Sequence, residues 1–208
     1  MKKTRMYLVR HGETQWNADG RFQGHSDVPL SVLGRSQVET LTTKLSQLKI
    51  DAFYSSDLSR AMETAEILAK KHQCQIYYLP DLREINFGEW EGLTFEEIAQ
   101  NYGELSSQWW ANPFTTQIPS GESLQDVAER CAKAVHEIID RHAGKTVVVA
   151  AHGGVIRMIV AHALGMDFQH YWKLRLDNVS LTIVEYHGYE KAILELYNDT
   201  CHLKNTPS

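Results

Sequence analysis

Apolar residues occur in short runs separated by longer stretches in which they recur every three or four positions. Residues 6–9 (Met-Tyr-Leu-Val) are too few for a helix and read as a strand; residues 31–48 carry Val38, Leu41, Leu45 and Leu48 at helical spacing. The alternation continues with a strand over residues 52–54, a helix over 59–71 and a third short strand over 76–79. Two smaller helices are expected over Phe95–Asn101 and near Trp109. Ser123, followed three residues on by Asp126, has the form of an N-cap with a first-turn acid, opening a long helix that runs to about His142. Thr146–Ala151 (TVVVAA) is the most strand-like run, and its unbroken apolarity predicts a central strand covered on both faces. A helix over 155–164 and closing strands over 180–186 and 192–197 complete the pattern. Strands alternating with helices imply a mostly parallel sheet with helices on both sides. Such sheets bind ligands beyond the carboxyl ends of their strands, which directs attention to the residues after Val9 and Ala151.

Composition narrows the class without deciding it. The 208 residues are 43% hydrophobic and 23% charged, as in ordinary globular chains, and suit one domain. A net charge of −5 gives no footprint for nucleic acid or an anionic membrane, so an anionic ligand would need a local cluster of arginines. Cys74, Cys131 and Cys201 are odd in number and lack CxxC spacing, which argues against a disulfide framework or a zinc site and for a reducing, cytoplasmic setting. The basic N-terminus is followed by too short an apolar run for a secretory signal, and the sequons at Asn178 and Asn198 read as chance matches. Gly144-Lys145-Thr146 ends like a P-loop, but Ile139 stands where its first glycine belongs and a strand follows. His136 and Asp140, four apart on a helix, read as a solvated face, and no metal or other cofactor is expected.

Both inspected strand ends carry histidine followed by glycine: Arg10-His11-Gly12-Glu13 after the first strand, and His152-Gly153-Gly154 after the apolar one. Glycine there lets the chain turn sharply and a ligand approach the backbone. The run Leu8-Val9-Arg10-His11-Gly12-Glu13-Thr14 with Trp16-Asn17 resembles the opening signature of the histidine phosphatase superfamily, in the branch that holds cofactor-dependent phosphoglycerate mutase and its phosphatase relatives. The resemblance continues through Gly24-His25-Ser26-Asp27, Ser55-Ser56-Asp57-Leu58-Ser59-Arg60-Ala61, Leu82-Arg83-Glu84 with Phe87-Gly88-Glu89-Trp90-Glu91-Gly92, Gly121-Glu122-Ser123 and Ala151-His152-Gly153-Gly154-Val155-Ile156-Arg157. It spans nearly the whole chain. It implies a single domain over residues 1–208, a three-layer α/β/α sandwich with a small helical insertion at about 93–122.

The chemistry explains why these residue types belong together. A phosphomonoester dianion repels nucleophiles, so its charge must be neutralised, attack aligned and the leaving oxygen protonated. A neutral imidazole can attack phosphorus, provided its other ring nitrogen is held as a donor. The resemblance gives His11 that role. It gives Arg10 and Arg60 the phosphate oxygens, which their planar, permanently charged forks match. His152 becomes the second histidine on the transferring phosphoryl group. Asn17 and the backbone near Gln23, Gly24 and Gly153 would add neutral donors. Glu84 is the candidate proton donor, a role that requires a carboxyl kept protonated by burial or by nearby negative charge, and Glu13 is read as lying behind the site.

The compact interval from Glu84 to His152 and the wording Phe-Gly-Glu-Trp-Glu-Gly resemble the phosphatases more than the mutases. Within them the chain looks most like α-ribazole-5′-phosphate phosphatases of cobalamin biosynthesis, with phosphoserine and broad-specificity phosphatases as alternatives. Phe22, Trp109, Trp110 and Phe114 are candidates for a leaving-group wall, with plain core as the competing reading. The C-terminal tail, with His202, is expected to reach the substrate. The expected partner is a small phosphomonoester; a homodimer stays open. A non-catalytic phosphometabolite-binding protein is the alternative of another class, although no nucleophile or acid is missing.

Overall fold

The computed structural model describes residues 2–204. β1 (Thr4–Arg10), β2 (Ala52–Ser55), β3 (Ile76–Tyr78) and β4 (Thr146–Ala151) are parallel, in the order β3-β2-β4-β1. Beyond β1 lie β5 (Leu181–Tyr186), antiparallel to it, and β6 (Ala192–Asp199), antiparallel to β5. The helices are α1 (Gln15–Ala18), α2 (Val32–Leu45), α3 (Ser59–Ala69), α4 (Phe95–Asn101), α5 (Gly103–Ala111), α6 (Leu124–Arg141) and α7 (Gly153–Ala163). Short 3-10 turns stand at Pro80–Leu82, Gly88–Trp90, Phe168–Lys173 and Cys201–Leu203.

The two-residue period of the strands divides the core in two. Met6 and Leu8 of β1, with Val147 and Val149 of β4, pack under α6 and α7; Tyr7, Val9 and Val148 face α2 and α3 on the other side. The result is an α/β/α sandwich with a mostly parallel sheet, and β4 is buried on both faces from Val147 to Ala151, as its apolarity predicts. Residues 93–122 hold α4 and α5, and Trp109 of α5 inserts into the larger core against Trp90 and Trp172.

Local chemistry sets the helix starts. The Ser123 hydroxyl accepts the Asp126 N–H at 3.1 Å while the Asp126 carboxylate accepts the Ser123 N–H, a capping box at the expected position. Ser31 caps α2 by accepting the Gly34 N–H at 2.9 Å. α7 starts at Gly153, two residues before its apolar pattern does, with the extended backbone of His152 as N-cap. The three cysteines are free, and burial pushes the Cys131 thiol up to about 12, leaving it inert. Among the described residues no helix is long and apolar enough to cross a membrane.

Candidate active site

Each of the four parallel strands delivers part of one site at its carboxyl end. β1 and β4 are neighbours with Arg10 opposite Ala151, so the residues that follow, His11 and His152, emerge side by side with ring centroids 5.1 Å apart. The His11 N–H extends the ladder onto the Ala151 carbonyl at 2.9 Å. β2 leads into α3, whose first turn carries Arg60, and β3 leads through the Pro80–Leu82 turn to Glu84. Arg10, His11, Asn17, Gln23, Gly24, Arg60, Glu84 and Gly154 line one cavity of about 190 Å³.

The hydrogen bonds of the two histidines set their tautomers. His11 Nδ1 lies 2.8 Å from the Gly12 carbonyl, so Nδ1 must donate and Nε2 keeps its lone pair. Burial, reinforced by the Arg60 and Arg10 charges, holds His11 well below the usual histidine range and therefore neutral. His152 Nε2 lies 2.7 Å from the Ser56 hydroxyl, which has no other acceptor among the described residues. Ser56 therefore donates to Nε2, and the proton of the neutral ring sits on Nδ1. That atom is buried with no acceptor among the described residues, while the ring stands behind His11 and does not itself line the cavity. Burial again depresses the His152 pKa, with Arg60 and His11 adding to it.

The arginines are gripped by backbone rather than by carboxylates. Arg60 is fully buried and donates to the Gly24 and Ser26 carbonyls at 2.7 and 2.8 Å, while Glu63, its nearest conceivable helix partner, pairs with Arg35 instead. Arg10 donates to the Leu176 carbonyl at 2.7 Å, and burial brings it down to about 10, still charged at neutral pH. Neutral carbonyls orient both forks without cancelling their charge, which leaves that charge for an anion.

Among the described residues Glu84 accepts only backbone donors: Ile85 N–H at 2.9 Å and Gly154 N–H at 3.0 Å to Oε1, with Oε2 at 3.2 Å from the latter. Its neighbour Arg83 is engaged by Asp57. The approach requires glycine, because a Cβ on Gly154 would stand 2.5 Å from Glu84 Oε1. Gly24, at φ +54, makes the turn that brings its carbonyl to Arg60. Asn17 Oδ1 is consumed by Thr14 and by Asn178, which turns the Asn17 amide N–H groups over to a ligand.

Other expected residues fall differently. Gln23 is buried in the cavity wall with its Oε1 unpartnered, whereas Gly153 is not itself a lining residue, and its successor Gly154 is. His202 is a correction: its Nε2 donates to the Val179 carbonyl at 3.0 Å, and it does not line the cavity. The 3-10 turn at Cys201–Leu203 packs against α2. Of the four aromatic candidates, Phe22 and Trp110 line the cavity, Trp109 is core, and Phe114 stacks on Phe168 elsewhere. The sequence reading missed Arg157, Trp172, Phe87 and Arg21 in the wall, and Ser56 behind His152. It also missed Asn178, whose amide donates to the His11 carbonyl at 3.0 Å; its Asn-Val-Ser context carries a structural bond, unseen without the loop geometry. Among the described residues no group of three His, Cys, Asp or Glu side chains is placed to hold a metal ion.

The model of the histidine phosphatase superfamily (branch 1) matches residues 6–200. The chain belongs to that superfamily. This histidine phosphatase homologue is 35% identical over 199 residues to phosphoserine phosphatase 1 of Hydrogenobacter thermophilus, covering 96% of this chain and 94% of that one. Its fold superimposes on Bacillus stearothermophilus YhfR with a TM-score of 0.91 at 36% identity, over 97% and 100% of the two chains. It superimposes on the α-ribazole phosphatase from Shigella flexneri with a TM-score of 0.86 at 28% identity, over 94% and 96%.

Proposed function

We propose that the chain is a metal-independent phosphomonoesterase acting on small phosphorylated metabolites through a phosphohistidine on His11. The observation that carries this reading is the His11 hydrogen bond: Nδ1–H is committed to the Gly12 carbonyl, so a neutral Nε2 faces two arginines whose charge is unspent. Arg10 and Arg60 neutralise the phosphoryl oxygens, and Asn17 and His152 Nδ1–H add donors that strengthen as charge builds. Nε2 attacks phosphorus, the P–O ester bond breaks, and the Glu84 carboxyl gives its proton to the departing alkoxide. Water then attacks phosphorus as Glu84 takes its proton, a P–O bond forms while the P–N bond to Nε2 breaks, and inorganic phosphate leaves with His11 restored.

The leaving-group side is less specific. A cavity of about 190 Å³ is smaller than the roughly 300–1,000 Å³ of drug-sized ligand sites and favours a compact alcohol. The relative named for phosphoserine agrees with that size. A second reading, α-ribazole phosphate, draws on the aromatic wall of Phe22, Trp110 and Trp172, which suits a flat base, and on the Shigella relative. The test is phosphate release from a panel of phosphoserine, phosphoglycerates, sugar phosphates and α-ribazole phosphate, in excess EDTA. The expected result is turnover that EDTA spares and that His11→Ala lowers by about 10⁴-fold or more. Turnover surviving in His11→Ala, or abolished by EDTA, contradicts the mechanism. Conversion of 3- to 2-phosphoglycerate without phosphate release identifies a mutase, and phosphometabolite binding with no turnover a binding protein.

A further inference from the structure

Arg157, in the second turn of α7, lines the cavity with no carboxylate at ion-pair distance among the described residues. Its Nε donates to the Leu174 carbonyl at 2.6 Å, and its guanidinium lies over the Trp172 ring, 5.5 Å from the centroid. These two contacts fix the plane of the fork while the Nη1 and Nη2 edges keep no acceptor among the described residues. The remaining arginine of the wall, Arg21, is already paired with Glu97.

The position of Arg157 relative to Glu84 decides its use. A Cβ placed on Gly153 would be 3.7 Å from Arg157 Nη1, 3.7 Å from Glu84 Oε2 and 3.6 Å from Arg10 Nε, so the three side chains converge on one point. Glu84 is the group that protonates the leaving oxygen, so Arg157 stands beside the alcohol that departs. A phosphoryl dianion offsets Arg10 and Arg60, which leaves the unengaged Nη edges of Arg157 for a further acceptor.

We infer that Arg157 reads a carboxylate on the leaving group, which makes the preferred substrate the phosphomonoester of a small hydroxy acid. This rests on the phosphomonoesterase reading above and names its substrate class. A carboxylate meets the free Nη edges as a two-pronged acceptor, a geometry an arginine held flat on an indole is prepared for. The small cavity agrees, since a hydroxy acid places its carboxylate only two or three bonds from the ester oxygen.

Matched pairs test this: 3-phosphoglycerate against glycerol 3-phosphate, in which a hydroxymethyl group replaces the carboxylate, and O-phosphoserine against phosphoethanolamine, in which a hydrogen does. The wild-type protein is expected to prefer the carboxylate member by tenfold or more in kcat/KM, about 1.4 kcal/mol, with the preference expressed mainly in KM. Arg157→Leu should bring both ratios to within threefold of one, and Arg157→Lys should retain part of them. Ratios near one in the wild type, or ratios that Arg157→Leu leaves in place, overturn the inference. So does a loss of equal size on both members of each pair, which would assign Arg157 to the phosphate. Should Arg157→Leu not fold, the wild-type ratios and Arg157→Lys still decide. Absence of turnover on every ester overturns the phosphomonoesterase reading itself, whereas turnover without carboxylate preference overturns this inference alone.

Discussion

The two halves of the cavity are built on opposite principles. In the phosphate half every charged or nucleophilic group is tied to backbone: Arg60 to two carbonyls, Arg10 to a third, His11 to the Gly12 carbonyl, Glu84 to the Gly154 N–H. Arg10 and His11 stand at the end of β1, Arg60 in the first turn of α3 and Gly154 in the first turn of α7, so most of the geometry is set by the sheet and the helices that follow it. The leaving-group half is walled by side chains from separate segments: Phe22 from the loop after α1, Trp110 from α5, Trp172 from a 3-10 turn and Arg157 from α7. One half is fixed by the fold; the other is set by packing and free to differ among relatives that share the fold. That division accounts for structures named for α-ribazole and for phosphoserine superimposing on this chain with TM-scores of 0.86 and 0.85.

Substitutions in the phosphate half should lower turnover on all esters alike. Arg60→Ala removes a buried guanidinium from the cavity wall, and kcat/KM should fall about 10²–10³-fold, or about 2.7–4 kcal/mol, on every substrate. A loss confined to some substrates would show that the two halves are not separable. Gly154→Ala puts a methyl where Glu84 Oε1 stands, displacing the proton donor by a fraction of an ångström or more. The expected cost is about 10²-fold in kcat, and most for esters with poor leaving groups. Equal loss on p-nitrophenyl phosphate, whose leaving group needs no proton, would remove Glu84 from that role.

Ser56→Ala tests the tautomer of His152. Without the hydroxyl on Nε2 the neutral ring can carry its proton on either nitrogen, so kcat should drop about tenfold with KM nearly unchanged, for all substrates. An unaltered kcat would mean that Nδ1–H is set by something else. Trp110→Ala, in the other half, should do the reverse: rank order and KM shift by about tenfold among leaving groups while phosphohistidine still forms.

The same division governs what the sequence reveals. Arg10, His11 and His152 are legible because each sits at a strand end beside a histidine or a glycine, where short-range pattern dictates position, whereas Arg60 and Glu84 are legible only through the family resemblance. The Ser123 cap is legible for the same reason, since its partner is three residues away. Trp109 and Trp110 show the opposite case. They are adjacent on α5, so their side chains point about 100° apart; one is core and one is wall, and no local pattern tells which. Arg157 and Trp172 meet only because the irregular stretch after α7 folds back on it. His202 fails as a substrate residue because its fate depends on the Val179 carbonyl, 23 residues earlier, in a loop ahead of β5. α1 and the four 3-10 turns are too short to carry a period.

The smallest expected effect is on stability. Burial lowers the His11 and His152 pKa values, so below pH 6.5 the unfolded chain binds protons that the folded chain does not. Stability is then full above pH 6.5 and falls as the pH drops below it. The unfolding midpoint should decrease by about 2–4 °C for each kcal/mol lost. Replacing both histidines by asparagine should flatten that slope; a midpoint that rises on acidification would contradict the neutral, buried pair. On the proposed mechanism the attacking His11 is neutral, so the acid limb of kcat/KM should also lie below pH 6.5.

The central claim is that His11 Nε2 becomes phosphorylated. Brief incubation with a ³²P-labelled ester, a quench in alkali, where the P–N bond survives, and mapping of the label test it directly. The account predicts label on the peptide containing Arg10-His11-Gly12, absent in His11→Ala and chased off by unlabelled substrate. Label on Ser56 or another hydroxyl, or steady turnover with no phosphorylated peptide trapped under any substrate, would contradict it.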